Sequence, residues 1–163
     1  MELYEVMRSA FSAREFTDDP VPDELLHRLF ENARFAPTGG NRQGGQVIVV
    51  RDHSTKRAIA DLAAPAAKRY QAQRANGENP WNTIDPPRVT AEEIEATPPP
   101  RGLTEPVANA PVVLVVCVDL KVVASIDQDL DRVGVISGGS VYPFAWNILL
   151  AARAEGYGGT LTT

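Results

Sequence analysis

The sequence predicts an α+β domain, and three observations carry that prediction. Two short apolar runs, Gln46–Arg51 (QVIVVR) and the VVLVVCV run after Pro111, are rich in β-branched residues and read as buried strands. Longer stretches before, between and after them place apolar residues at helical spacing. The chain has 163 residues, 44% hydrophobic and 23% charged, enough for one domain that buries about 68–70% of its unfolded surface. That composition also argues against wholesale disorder.

In chain order, residues 1–10 form a short helix with Leu3, Val6 and Met7 on one side. A clearer helix follows. Pro22 suits its first turn, Asp23 and Glu24 suit its positive end, and Leu25, Leu26, Leu29, Phe30 and Ala33 make the apolar stripe. Pro37 stops it, and Thr38-Gly39-Gly40-Asn41 is a loop. After the first strand, Ser54 caps a helix that carries Ile59, Leu62, Ala63, Ala66 and Tyr70. From Asn76 to Ala110, prolines at 80, 86, 87, 98, 99, 100 and 106 leave little room for regular structure beyond a turn at 91–96. This segment is either a functional lid or a mobile, disordered insertion. The second strand comes next, then a long helix from about Gly138 to Glu155 using Phe144, Ala145, Ile148, Leu149 and Ala152 and stopping at Gly156. Tyr157-Gly158-Gly159-Thr160-Leu161-Thr162-Thr163 reads as the opening of another strand.

Composition excludes several function classes. Sixteen basic against twenty-one acidic residues give a net charge of −5, so no basic footprint offers itself to nucleic acid or an anionic membrane. One cysteine, Cys117, forms no internal disulfide framework and no multi-cysteine zinc site, and two histidines are a poor basis for a metal centre. Val133–Ala152 is uncharged for 20 residues, but Gly134, Ser137, Gly138, Gly139, Ser140, Pro143 and Asn147 make it a buried soluble helix, not a membrane span. Glu2 and Glu5 come where a signal peptide would be basic, so the expected location is cytoplasmic. No dinucleotide fingerprint or Walker loop occurs, and no nucleophile–base set is evident. An enzyme built on this chain needs a cofactor to carry the chemistry, so no side chain is assigned a catalytic role.

Two stretches stand out: Ser12-Ala13-Arg14-Glu15-Phe16, followed by Pro20-Val21, and Ala33-Arg34-Phe35-Ala36-Pro37-Thr38-Gly39-Gly40-Asn41-Arg42-Gln43 ahead of a strand. With Asn147-Ile148-Leu149-Leu150-Ala151-Ala152 and Glu155-Gly156-Tyr157-Gly158, their order and spacing resemble the flavin mononucleotide (FMN)-dependent nitroreductases. The resemblance implies a single nitroreductase-like domain over residues 1–163, with a mixed β-sheet flanked by helices in an interlocked homodimer. It also implies NAD(P)H as electron donor. Flavin N5 would pass the electrons to a nitro compound, quinone or similar electron-poor small molecule by a ping-pong route. Flavin sequestration without turnover, and specialisation for dehalogenation or flavin fragmentation, are the alternatives.

By the same resemblance, Ser12 and Arg14 would contact the ribityl and pyrimidine portions of FMN. Pro37, Thr38, Gly39 and Asn41 would approach from the partner subunit, and Leu161, Thr162 and Thr163 would line the ring near N5. A guanidinium beside N1 and O2 suits the negative charge that develops there. Two departures bear on the phosphate. Ala10 stands where many members carry arginine, with Arg8 out of register, and the family's further strand, basic ligands and partner-embracing tail are not found after Thr163. Homodimerisation has independent support in the Gly138–Ala152 stretch, which is apolar around most of its circumference and needs burial on more than one side.

Overall fold

The computed structural model describes residues 1–163. In chain order the elements are α1 (Leu3–Ser9), α2 (Asp23–Ala33), β1 (Gly45–Val50), α3 (His53–Ala75), α4 (Ala91–Ala96), α5 (Arg101–Asn109), β2 (Val113–Val118) and α6 (Tyr142–Ala154). They divide into two compact units, residues 1–49 with 114–163 and residues 50–113. No helix is long and apolar enough to cross a membrane.

The first unit is built on α2 and α6. Helical spacing places Leu25, Leu26, Leu29 and Ala33 on one side of α2, where all are buried. They pack on α6, whose Ala145, Ile148 and Ala152 form its buried stripe, and α1 packs on α6 as well. Each fully buried leucine contributes about 1.5–3 kcal/mol, so this seam dominates the unit's cohesion. A salt bridge of 3.1 Å from Arg28 to Glu155 closes it at the surface.

The sheet is smaller than the sequence suggests. It has two strands, and Asp119 N donates to Gly44 O at 3.0 Å, joining the end of β2 to the start of β1 in an antiparallel pair. The segment after α6 adds an isolated parallel bridge, Ser12 to Gly159, in place of the further strand of a mixed sheet. Consecutive glycines there offer no side chains to hold a longer ladder. Neither strand is buried as expected: β2 is half-buried throughout, and in β1 only Val50 is buried while Ile48 is 57% exposed. Two strands provide too little surface to cover both faces of each other.

In the second unit α3 packs on α4 and α5. Its buried positions are Lys56, Ala60, Ala67, Ala72 and Gln73, and not the stripe read from the larger residues; Leu62 is 81% exposed. Alanine lets α5 approach closely, with Thr104, Pro106 and Ala108 facing the seam. Polar contacts fix its register: Lys56 Nζ donates to Ala110 O, Arg57 pairs with Glu105 through two contacts of 3.1 and 3.2 Å, and Lys68 pairs with Glu95 at 3.0 Å. The Arg57 guanidinium holds the Glu105 carboxyl below its ordinary pKa.

Three further expectations change. Asp52, not Ser54, caps α3, its carboxylate accepting from Thr55 N at 2.7 Å and from the Ser54 hydroxyl at 2.6 Å. The proline-rich segment contains α5 as well as α4, because Pro98–Pro100 lead up to a helix start and only Pro106 falls inside it. The α4 turn is closed by a capping box between Thr90 and Glu93. Finally, α6 starts at Tyr142 with Pro143 in its first turn, and Ile136–Ser140 is a separate 3₁₀ turn. Gly138 and Gly139 disfavour the α-helix there.

Candidate functional site

Two clefts in the first unit hold the sequence-derived candidates, and they divide them. The first, about 150 Å³, lies where the Ala10–Ser12 arm, α6 and the Tyr157–Leu161 segment meet. Ala13 N donates to Gly159 O at 3.1 Å, which pins the arm to the segment. The approach is close: a Cβ at Gly159 would sit 2.8 Å from Leu149 Cδ2, so that side chain would have to shift, and one at Gly158 would sit 3.1 Å from Ala13 Cβ. Phe11, Trp146, Leu149 and Leu161 give the cleft apolar walls, and Ser12, Arg153 and Tyr157 are its polar side chains. Ser12 and Leu161 are thus brought together. Arg14 is exposed beside them, with Nη1 donating to Ser12 O at 3.3 Å. Thr162 and Thr163 are exposed and do not line the cleft.

The second cleft, about 390 Å³, opens between α2, the Thr38–Gln43 loop, β1 and the start of α6. This loop is held in an unusual conformation, with φ of +62° at Gly40, +54° at Asn41 and +50° at Gln43. Left-handed backbone is inexpensive at glycine and tolerated at asparagine, whereas at glutamine it is strained. Side chains secure the loop. Thr38 Oγ1 accepts from Gln43 N at 3.0 Å, Gln43 Nε2 donates to Asn41 Oδ1 at 3.1 Å, and Gly39 N donates to Ser140 Oγ at 3.0 Å. Thr38 lines this cleft with Ser140 and Phe144, and the exposed Pro37 and Asn41 flank it.

A buried carboxylate lies ahead of Ser140 in the chain. Asp127 is 3% exposed and its Oδ2 accepts from Val135 N at 2.7 Å, Arg132 Nη1 at 2.9 Å and Ile136 N at 3.3 Å. This folds the 127–136 loop back directly ahead of the turn that carries Ser140. The Val135 N–H, with the Arg132 guanidinium assisting, holds the Asp127 carboxyl below the usual aspartate pKa. Ser140, Arg153, Phe11, Trp146 and Tyr157 were not singled out from the sequence as site residues. Arg153 left a trace there as the first charge after a long uncharged stretch, and Tyr157 as part of the Glu155–Gly158 match.

The first cleft offers apolar walls and a single guanidinium, and the larger second one is lined by both polar and apolar side chains. Comparison with protein families identifies the class: residues 7–163 match the nitroreductase family, and the chain belongs to it. It is 44% identical over 52 residues to a Thermus thermophilus NADH dehydrogenase, a match taking in 32% of this chain and 25% of that protein. It is 40% identical over 52 residues to the Bacillus subtilis FMN reductase [NAD(P)H], covering 32% of this chain and 21% of that one. The aligned stretch therefore spans about a quarter or less of those relatives. Among solved structures, an iodotyrosine deiodinase bound to FMN and 3-iodo-L-tyrosine superposes with a TM-score of 0.64 at 20% identity, over 99% of this chain and 74% of that chain. A nitroreductase in complex with FMN from Desulfovibrio desulfuricans gives 0.59 at 21% identity, over 94% and 63%. These likenesses establish the shared fold.

Proposed function

We propose that the chain is an FMN-dependent oxidoreductase that takes electrons from NAD(P)H and delivers them to a nitro compound, quinone or similar electron-poor acceptor, working as an interlocked homodimer. The observation that carries this reading is the family match over residues 7–163, joined to a cleft in which Ser12 and Leu161 meet across the Ser12–Gly159 bridge. The residues present fit the cofactor. Apolar walls, a serine hydroxyl and a guanidinium suit a ribityl phosphate, and glycine backbone lets a ring approach closely. Bound FMN supplies hydride acceptance and donation at N5.

The chain's own residues bind and orient. Ser12 takes the ribityl hydroxyls and Arg14 the pyrimidine edge, where its charge favours the electron-rich state of the ring. Leu161, Thr162 and Thr163 would border the ring near N5, Leu161 from the cleft and the two exposed threonines from outside it. Pro37, Thr38, Gly39 and Asn41 serve the partner's site, which accords with their standing at a different cleft from Ser12. The single domain spans residues 1–163, with residues 76–110 as its proline-rich lid or insertion.

The visible spectrum of the protein purified without added cofactor tests the flavin. NAD(P)H oxidation with and without a quinone then tests turnover. Stoichiometric flavin binding without oxidation in either condition would make the chain a flavin-sequestering protein. Arg14→Ala is expected to weaken flavin binding by about 1.5–3 kcal/mol and to lower the flavin potential. Equal affinity and equal potential in the variant would remove Arg14 from the site.

A further inference from the structure

Resting on the flavin reading above, we propose that Arg153 is the cation that receives the cofactor's phosphate, in place of the arginine absent at position 10. Arg153 is the single charged side chain lining the cleft that contains Ser12, and no carboxylate lines it. Ala10 lies in the same cleft and brings no charge. Two contacts fix the Arg153 side chain: Nε donates to Ser9 Oγ at 3.0 Å, and the guanidinium lies 5.8 Å from the Phe11 ring centroid. Both terminal amino groups are left without an acceptor in the chain. A half-buried, pre-oriented guanidinium fork of this kind matches two oxygens of a phosphate monoester.

Size and connectivity agree with this assignment. The cleft of about 150 Å³ is below the ~300–1,000 Å³ typical of a site enclosing a whole small molecule, so it suits one end of a cofactor. The ribityl chain joins the ring to the phosphate, and a cleft that offers Ser12 to the ribityl therefore offers its one cationic group to the phosphate. That group is Arg153. Ser9 is a positioning residue, acting through the Nε contact.

The test compares FMN with riboflavin, which lacks the phosphate, by quenching of flavin fluorescence. The wild-type chain is expected to prefer FMN by about 10- to 150-fold, the range for one charge-assisted contact. Arg153→Gln should bind riboflavin as the wild type does and lose the preference for FMN. Arg153→Lys, which keeps the charge without the fork, should lose most of it, and inorganic phosphate should compete with FMN but not with riboflavin on the wild type. A wild-type FMN-to-riboflavin ratio in either folded variant overturns the assignment, as does equal wild-type affinity for the two flavins. Absence of binding by both flavins to the wild type instead overturns the flavin reading itself.

Discussion

Helices α2 and α6 pack against each other, yet they are built on opposite plans. In α2 the leucines fall on one side and the charged residues on the other, so a single neighbour satisfies it. In α6 nearly every residue from Tyr142 to Ala152 is apolar. One stripe (Ala145, Ile148, Ala152) meets α2, the next (Trp146, Leu149, Arg153) walls the first cleft, and Phe144 lines the second. Tyr142 is left 52% exposed. A one-sided helix holds a fold together, and a many-sided one also lends apolar surface to the clefts beside it.

The sharpest way to break this comparison is to truncate each helix in turn. Leu26→Ala, at a position 4% exposed, should cost about 2–5 kcal/mol in denaturant unfolding. Gly159→Ala sets a Cβ against the Leu149 side chain of α6, which can turn aside, and should cost about 1 kcal/mol or less while also lowering flavin affinity. Tyr142→Ser should leave the stability of the isolated subunit within about 0.5 kcal/mol, yet shift the sedimenting mass from dimer to monomer. A monomeric wild type at micromolar concentration would end the case for a second packing side on α6.

Acid titration sharpens the comparison further, because Asp127 organises the loop that leads into α6. Its folded pKa is depressed, so its contribution to stability is complete above the ordinary unfolded value near 4 and is lost as pH falls through the lower folded value. Asp127→Asn should lower the neutral-pH midpoint and flatten this acid limb. The smallest effect is expected in the other unit. The Ser54 hydroxyl, followed by the Thr55 N–H and hydroxyl, draws the Asp52 pKa down to about 2. Ser54→Ala should raise it toward the ordinary value, measurable by NMR titration, with α3 still capped by Asp52.

The same contrast explains what the sequence made legible. The leucine stripe of α2 was readable because one apolar side against charge is unambiguous, and both strands were readable from their β-branched runs. The packing side of α3 was not, because its alanines bury more completely than the larger Leu62 and hydropathy favours the larger residue. Asp52 and Ser54 are both capping residue types, and only the backbone decides which one flanks the helix. α5 was hidden by the number of prolines around it, although all but Pro106 lie outside the helix. At the site, motif spacing brought out Ser12 and Thr38. Ser140 and Arg153 became visible only through partners 101 and 144 residues distant in the chain.

The placement of the two indoles has a practical consequence. Trp146 belongs to the first unit, and Trp81 to the second, where it holds a φ of +57° with the Arg69 guanidinium 3.9 Å from its ring centroid. The chain has no other tryptophan. Emission excited at the red edge therefore comes from one reporter in each unit, and replacing either by phenylalanine leaves a single local thermometer. Coincident melting curves from the two variants would make the units one cooperative body, and separated curves would give each its own transition.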